Sequence, residues 1–213
     1  MILVGIDYSR ISLAITIYEE GRFYFCSIQR EKNIKEAYAE DLRKSGIDVI
    51  VIDKIKEHSD ETEMETIYSY DADYQARIVA EVIKEHGTDV EIALEGLSFA
   101  SQGSSSLTYA GYHFILRRTL KEILGIPYEK INIVAPGTVK KTAGKGNFKK
   151  EQMIEAFIND EFFSSTDFWQ NINHTPEIFQ SPKAKNWQKP LDDLVDSSYC
   201  CKWLVQKLSK KAV

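Results

Sequence analysis

Three short stretches carry carboxylates in settings that metal chemistry would explain. Met1–Asp7 reads M-I-L-V-G-I-D, an apolar run that finishes in Asp7. Val90–Glu95 reads V-E-I-A-L-E and finishes in Glu95. Pro190–Asp196 reads P-L-D-D-L-V-D, in which Asp193 and Asp196 stand three apart and share a helical face. Taken singly, each has a plain alternative. Asp7 starts a turn well, and Asp192 and Asp193 suit the positive end of a helix. Taken together, two strand-end acids and an i, i+3 acid pair are a set of like charges that repel unless a cation lies among them. Mg²⁺ takes a few carboxylates and keeps several waters. Two such ions roughly 4 Å apart activate a water and stabilise the leaving oxygen of a phosphodiester. A nearby lysine would hold the scissile phosphate or stabilise developing charge.

Lysines are available in the right region. Arg117, Arg118, Lys121, Lys130, Lys140, Lys141, Lys145, Lys149 and Lys150 face only Glu122 and Glu129, so this segment is strongly basic in a chain of net charge -5. A basic stripe on an acidic protein is a local footprint for an anion. On the Leu107–Leu124 stretch such charges are usually just a solvated face. Around Gly144-Lys-Gly-Asn147, lysines next to a helix start suit phosphate contacts, although the spacing of a Walker loop is absent. Ser98–Ser106 is small and polar with one aromatic, Phe99. It reads equally as a ligand-approach loop and as a plain cap for the next helix.

Positioning these groups requires rigid elements. Ile2–Asp7, Ile11–Tyr18 and Arg22–Ile28 read as three strands of an antiparallel meander, with Glu20-Gly21 as the second turn. Asn33 is expected to cap a helix running to Ser45, and Gly46 ends it before a short strand at Asp48–Ile52. Lys54–Met64 is charged and aperiodic and reads as a surface loop. Ala72–His86, Leu107–Leu124 and the stretch from Pro190 to Leu208 carry helical apolar spacing; Val90–Leu94 and Ile131–Val134 read as strands. Pro136 could open a short helix, and a further helix runs on from Phe148. Asp160–Lys189 is aromatic and polar without clear period, like an inserted subdomain or lid. His174 within it lacks ligand spacing and reads as structural.

The composition is that of an ordinary soluble globular protein, 43% hydrophobic and 28% charged over 213 residues. No stretch approaches the ~20 apolar residues of a membrane helix, and the N-terminal strand does not look like a signal peptide. Cys26, Cys200 and Cys201 form no disulfide or zinc framework, which points to a reducing, cytoplasmic location.

These motifs resemble the RuvC-type Holliday junction resolvases of the RNase H-like superfamily. Gly5–Ser9, G-I-D-Y-S, is similar to the family's first-strand G-I-D-P-G, and Ala93–Leu97, A-L-E-G-L, to its A-I-E. Thr138–Lys150 resembles its V-K-Q-x-x-x-G-x-G…K stretch, and Pro190–Asp196 its D-A-A-D with Asp192 extra. The resemblance covers Met1–Ile28 and Ala72–Leu208. It implies an α/β, RNase H-like fold with a mixed five-stranded sheet, a meander followed by parallel strands, flanked by helices. It implies one domain over residues 1–213 with insertions at about 30–71 and 160–189. Asp7, Glu95, Asp193 and Asp196 would bind two Mg²⁺ ions, with Mn²⁺ as substitute, and Lys150 would assist catalysis. Lys140, Lys141, Lys145, Lys149 and Phe99 would touch DNA. The family's junction-probing aromatic lies one residue nearer its glutamate than Phe99 does. The implied reaction is paired hydrolysis of a four-way DNA junction by a homodimer, leaving 5′-phosphate and 3′-hydroxyl ends. The long Arg30–Asp71 segment, the aromatic insertion and the overall acidity suggest a divergent member, of viral origin and acting in a host cytoplasm.

Other readings keep some of these features. An RNase H-like nuclease for flaps, other branched DNA or RNA–DNA hybrids shares the acids and changes the substrate. A YqgF-like enzyme shares the G-I-D-Y start. A junction-binding protein that does not cut would not need the full acid set. An actin-like kinase or ATPase also begins with a strand-end Asp but needs a second nucleotide domain.

Overall fold

The computed structural model describes residues 1–56, 58–97, 104–181 and 186–211, the side chains of 104–106 and 211 excepted. Phe99 lies outside the described residues. The chain opens with the expected meander: β1 (Ile2–Tyr8), β2 (Ser12–Glu19) and β3 (Arg22–Arg30), antiparallel throughout. Helix α1 (Glu36–Lys44) leads to β4 (Ile47–Ile52), and α2 (Glu61–His86) leads to β5 (Val90–Glu95). Helix α3 (Ser104–Leu124) precedes β6 (Ile131–Val134). Then come α4 (Pro136–Ala143), α5 (Lys150–Ile158), α6 (Asp167–His174) and α7 (Leu191–Lys211).

The sheet has six strands in the order β4-β3-β2-β1-β5-β6, not five. Strand β4 joins the free edge of β3 in parallel, Phe25 opposite Ile47 and Ile28 opposite Ile50. It is a full sheet member because Ile47, Val49 and Ile52 are buried. Strand β5 runs parallel to β1, and β6 parallel to β5, so the centre of the sheet is a β-helix-β unit.

Alternation along the central strands decides which helix each residue meets. Ile2, Val4, Ile6 and Tyr8 of β1, with Val90, Ile92 and Leu94 of β5, share a core with α2 and α3. Leu3 of β1 and Ala93 of β5 share the opposite core, with residues of α5, α6 and α7. Gly5 and Asp7 have the parity of Leu3, and Glu95 has that of Ala93. These residues therefore face α7.

Gly5 sets how close α7 comes. A β-carbon at this position would lie 2.0 Å from the Ser197 carbonyl oxygen and 2.5 Å from the Cys201 nitrogen. The helix backbone thus rests directly on β1. Small residues carry the contact onto β2: Ser197 and Ser198 place their hydroxyls 2.9 and 3.2 Å from the Thr16 hydroxyl.

Several local expectations shift. Helix α2 begins eleven residues before Ala72, at Glu61, where the Asp60 carboxylate accepts from the Glu63 backbone N–H at 2.9 Å. Half of Lys54–Met64 therefore belongs to, or abuts, a helix whose first turn holds Met64 as its one apolar residue. Asn33 closes a short 3₁₀ turn and does not cap α1, which starts at Glu36. The described part of Asp160–Lys189 packs on the main core: Phe163, Phe168 and Phe179 are fully buried. Phe163 stacks on Phe157 at 4.7 Å and meets Tyr199 edge-on at 5.7 Å.

Candidate metal centre

The register of β1 and β5 pairs Gly5 with Ala93 and Ile6 with Leu94, which carries Asp7 and Glu95 abreast at the carboxyl ends of the two strands. Helix α7, seated on Gly5, brings its first turns over the same point. Asp7, Glu95 and Asp196 each offer a carboxylate oxygen, and these oxygens lie within 4.8 Å of one another. The three acids line a cleft of about 320 Å³ with Tyr8, Gly96, Leu97, His113, Lys140, Lys150 and Asp192. The carboxyl edge of a parallel unit is where open α/β sheets collect their ligands.

The three converging acids are short of positive charge. Burial, followed by the charges of Asp193, Glu95 and Asp196, pushes the Asp7 carboxyl well above its ordinary range. Burial lifts Glu95 to about 6, although a hydrogen bond with Asp7 and the charge of Lys140 hold it back. Burial, then Glu95, Asp193 and Asp192, raise Asp196 to about 8. Three carboxylates that resist ionising together are a donor set suited to a hard divalent cation, whose charge removes the conflict. The residues present therefore fit Mg²⁺ or Mn²⁺.

The other two acids are differently engaged. Asp193 is 5% exposed and stands apart from the triad of converging oxygens. Its Oδ2 accepts from the Ser12 hydroxyl, and its Oδ1 from the Lys189 ammonium. The Gln29 amide in turn donates to Ser12 Oγ at 2.6 Å. Asp192 lines the cleft and accepts from Lys150, with Lys189 3.3 Å away. Burial would raise Asp192, but the two lysines outweigh it and its pKa falls. Burial works against the Lys189 ammonium, yet Asp193 and Asp192 raise its pKa above the usual lysine value.

The basic segment divides in two. Lys140 and Lys150 line the cleft, and Lys141, Lys145 and Lys149 are exposed on and between α4 and α5 beside it. On α3 and beyond, the charges are occupied locally. Arg118 pairs with Glu122 at 2.8 Å, Lys130 with Asp89 at 3.1 Å, and Arg117 and Lys121 lie over Tyr128.

Four participants were not singled out from sequence. Lys189 ends an aperiodic stretch, and its acids lie at i+3 and i+4, a spacing that was available to be read. Ser12 and Gln29 sit on neighbouring strands, and only the β2–β3 register makes them opposite residues. His113 is buried on α3, edge-on to Tyr8 at 5.5 Å, and burial lowers it to about 4, so it lines the cleft as neutral imidazole.

No protein-family model and no curated protein sequence matches the chain. Among solved structures it is similar to RuvC of Thermus thermophilus, with 13% identity, a TM-score of 0.51, and coverage of 97% of this chain and 96% of that one. A structure of T. thermophilus RuvC in complex with a Holliday junction substrate matches at 12% identity and a TM-score of 0.52 over the same shares. The chain has a RuvC-like, RNase H-like α/β fold, as its strand-end and last-helix motifs implied. Among the described residues no helix is long and apolar enough to cross a membrane.

Proposed function

We propose that this chain is a metal-dependent, structure-selective endonuclease that resolves four-way DNA junctions by paired phosphodiester hydrolysis. The observation that carries the proposal is the convergence of Asp7, Glu95 and Asp196 at one edge of a RuvC-like sheet, with Lys140 and Lys150 in the same cleft. The likeness to a RuvC bound to a Holliday junction supports the choice of substrate.

In this reading Asp7, Glu95 and Asp196 hold Mg²⁺, or Mn²⁺ in its place. When bound, the ion supplies Lewis-acid chemistry for attack of a water on the phosphodiester. The water oxygen would bond to phosphorus and give up a proton to solvent, the bond from phosphorus to the 3′ oxygen would break, and that oxygen would take a proton from solvent. The products are a 5′-phosphate and a 3′-hydroxyl. Lys140 and Lys150 hold the phosphate and offset its growing charge. The Lys150 side chain is 65% exposed, so it can turn from Asp192 to a phosphate oxygen while Lys189 stays 3.3 Å from Asp192. Lys141, Lys145 and Lys149 contact the DNA backbone beyond the cleft, and Phe99 contacts the junction. His113 and Leu97 also line the cleft.

Two nicks placed symmetrically across a junction call for two copies of the site, hence a homodimer. The chain acts as one domain over residues 1–213 with insertions near 30–71 and 160–189, and a cytoplasmic location goes with its substrate.

The test is cleavage of a labelled four-way junction beside matched duplex, flap and RNA–DNA hybrid, in Mg²⁺, in Mn²⁺ and in EDTA. Paired nicks confined to the junction and lost in EDTA are expected. Equal or better cutting of the hybrid or flap would replace the substrate, and tight junction binding with no cutting would replace the enzyme with a binder.

A further inference from the structure

Five carboxylates crowd the start of α7 and the two strand ends, but they fall into two groups. Asp7, Glu95 and Asp196 converge on one another. Asp192 and Asp193 converge on ammonium groups instead. Lys189 Nζ donates to Asp193 and lies 3.3 Å from Asp192, and Lys150 donates to Asp192.

Both oxygens of Asp193 are in use. Lys189 holds Oδ1 from the solvent side and Ser12 holds Oδ2 from β2, with Gln29 fixing Ser12 from β3. The Asp193 side chain is 7% exposed. To reach an ion in the cleft it would have to leave a buried hydroxyl and an ammonium unpaired, which is costly in such a setting. Lys189 is also oddly placed for a residue without a task. It precedes the amino end of α7, where the helix dipole disfavours a cation. The two aspartates at i+3 and i+4 compensate.

We propose that Lys189 is an internal cation of this acid cluster. Its ammonium holds Asp193 and Asp192, keeps Asp193 out of the ligating set, and leaves one high-affinity divalent-ion position, at Asp7, Glu95 and Asp196. This rests on the metal-dependent reading above and departs from a site with two equal ions. Lys189 is a positioning residue: it acts through Asp193 and does not touch the reacting atoms. A second ion would be held weakly and would depend on the substrate phosphate for its remaining ligands.

The experiment counts Mn²⁺ bound to the full chain without DNA, from the loss of the free-ion electron paramagnetic resonance signal. Wild type, Lys189→Gln, Lys189→Arg, Asp193→Asn and Asp7→Asn are compared, with thermal melts to check folding. Wild type is expected to bind one ion tightly, and Asp7→Asn to lose it. Lys189→Gln should bind a second ion about tenfold more tightly than wild type does, because a competing positive charge is gone. Lys189→Arg should restore the wild-type count, and Asp193→Asn should keep the first ion.

Two equally tight ions in wild type, or no gain in Lys189→Gln, would overturn the proposal while leaving a metal-dependent enzyme in place. If Lys189→Gln does not fold, loss of the first ion in Asp193→Asn overturns it and retention supports it. No bound Mn²⁺ in folded wild type would overturn the metal-dependent reading itself.

Discussion

At the scale of residues, the site is a charge conflict held in place by burial. Glu95 at about 6 and Asp196 at about 8 keep protons that an unfolded chain releases near pH 4. Between those values the folded state binds more protons than the unfolded state, so metal-free stability falls as pH rises. Glu95 alone accounts for on the order of 2 kcal/mol. We expect the metal-free protein to melt at a lower temperature at pH 8 than at pH 5, and Mg²⁺ to reverse the loss at pH 8. A melting temperature that climbs from pH 5 to pH 8 without metal would contradict this. Asp7 and Glu95 were legible in the sequence because apolar strands run straight into them. The last-helix acids were legible only as a group. Asp192 lies four residues before Asp196 and Asp193 three, so both share its face. Which one enters the cleft depends on Lys189, whose acids at i+3 and i+4 were readable, and on Ser12, whose approach from β2 no local spacing encodes.

At the scale of elements, the site depends on how α7 seats on β1. Gly5→Ala would drive a β-carbon into the Ser197 carbonyl and the Cys201 nitrogen. We expect it to cost roughly 3 kcal/mol in denaturant unfolding and to weaken Mn²⁺ binding, because Asp196 moves away from Asp7. Wild-type stability would show that α7 is not in close contact there. Helices α4 and α5 carry the exposed lysines. Charge reversal at Lys140, Lys145 and Lys149 should weaken junction binding and lower the slope of log K against log salt by about 0.9 for each phosphate no longer neutralised. Unchanged affinity and slope would remove these helices from the DNA footprint. The strands were readable from apolar runs. The first turn of α2 was not, since E-T-E-M holds a single apolar residue; its signals were Asp60 followed three residues later by Glu63, and Met64 with Ile67 and Tyr68 three and four residues on.

At the scale of the whole molecule, the fold matches RuvC across nearly its full length with little sequence in common. Patterning explains how both are true. Sheet order and helix sides follow from apolar alternation, which many sequences satisfy. The sixth strand illustrates the limit. Asp48–Ile52 was readable as a strand, but only its pairing with β3 makes it part of the sheet. The aromatic insertion was hard to read because its helical spacing is confined to Phe168 and Ile172 of α6, and its other rings pack on one another and against Phe157 and Tyr199. For the assembly, we expect sedimentation of the junction complex to report two chains per junction, and one chain per junction would remove the basis for paired nicks. The central claim is that Asp7, Glu95 and Asp196 together hold the ion that makes cutting possible. Its most direct test is junction cleavage in Mg²⁺ by Asp7→Asn, Glu95→Gln and Asp196→Asn, with junction binding measured on the same preparations. The account predicts that each variant binds like wild type and cuts roughly 10³-fold more slowly, the loss expected when several kcal/mol of charge stabilisation disappear. Wild-type cutting by any one of the three would contradict it.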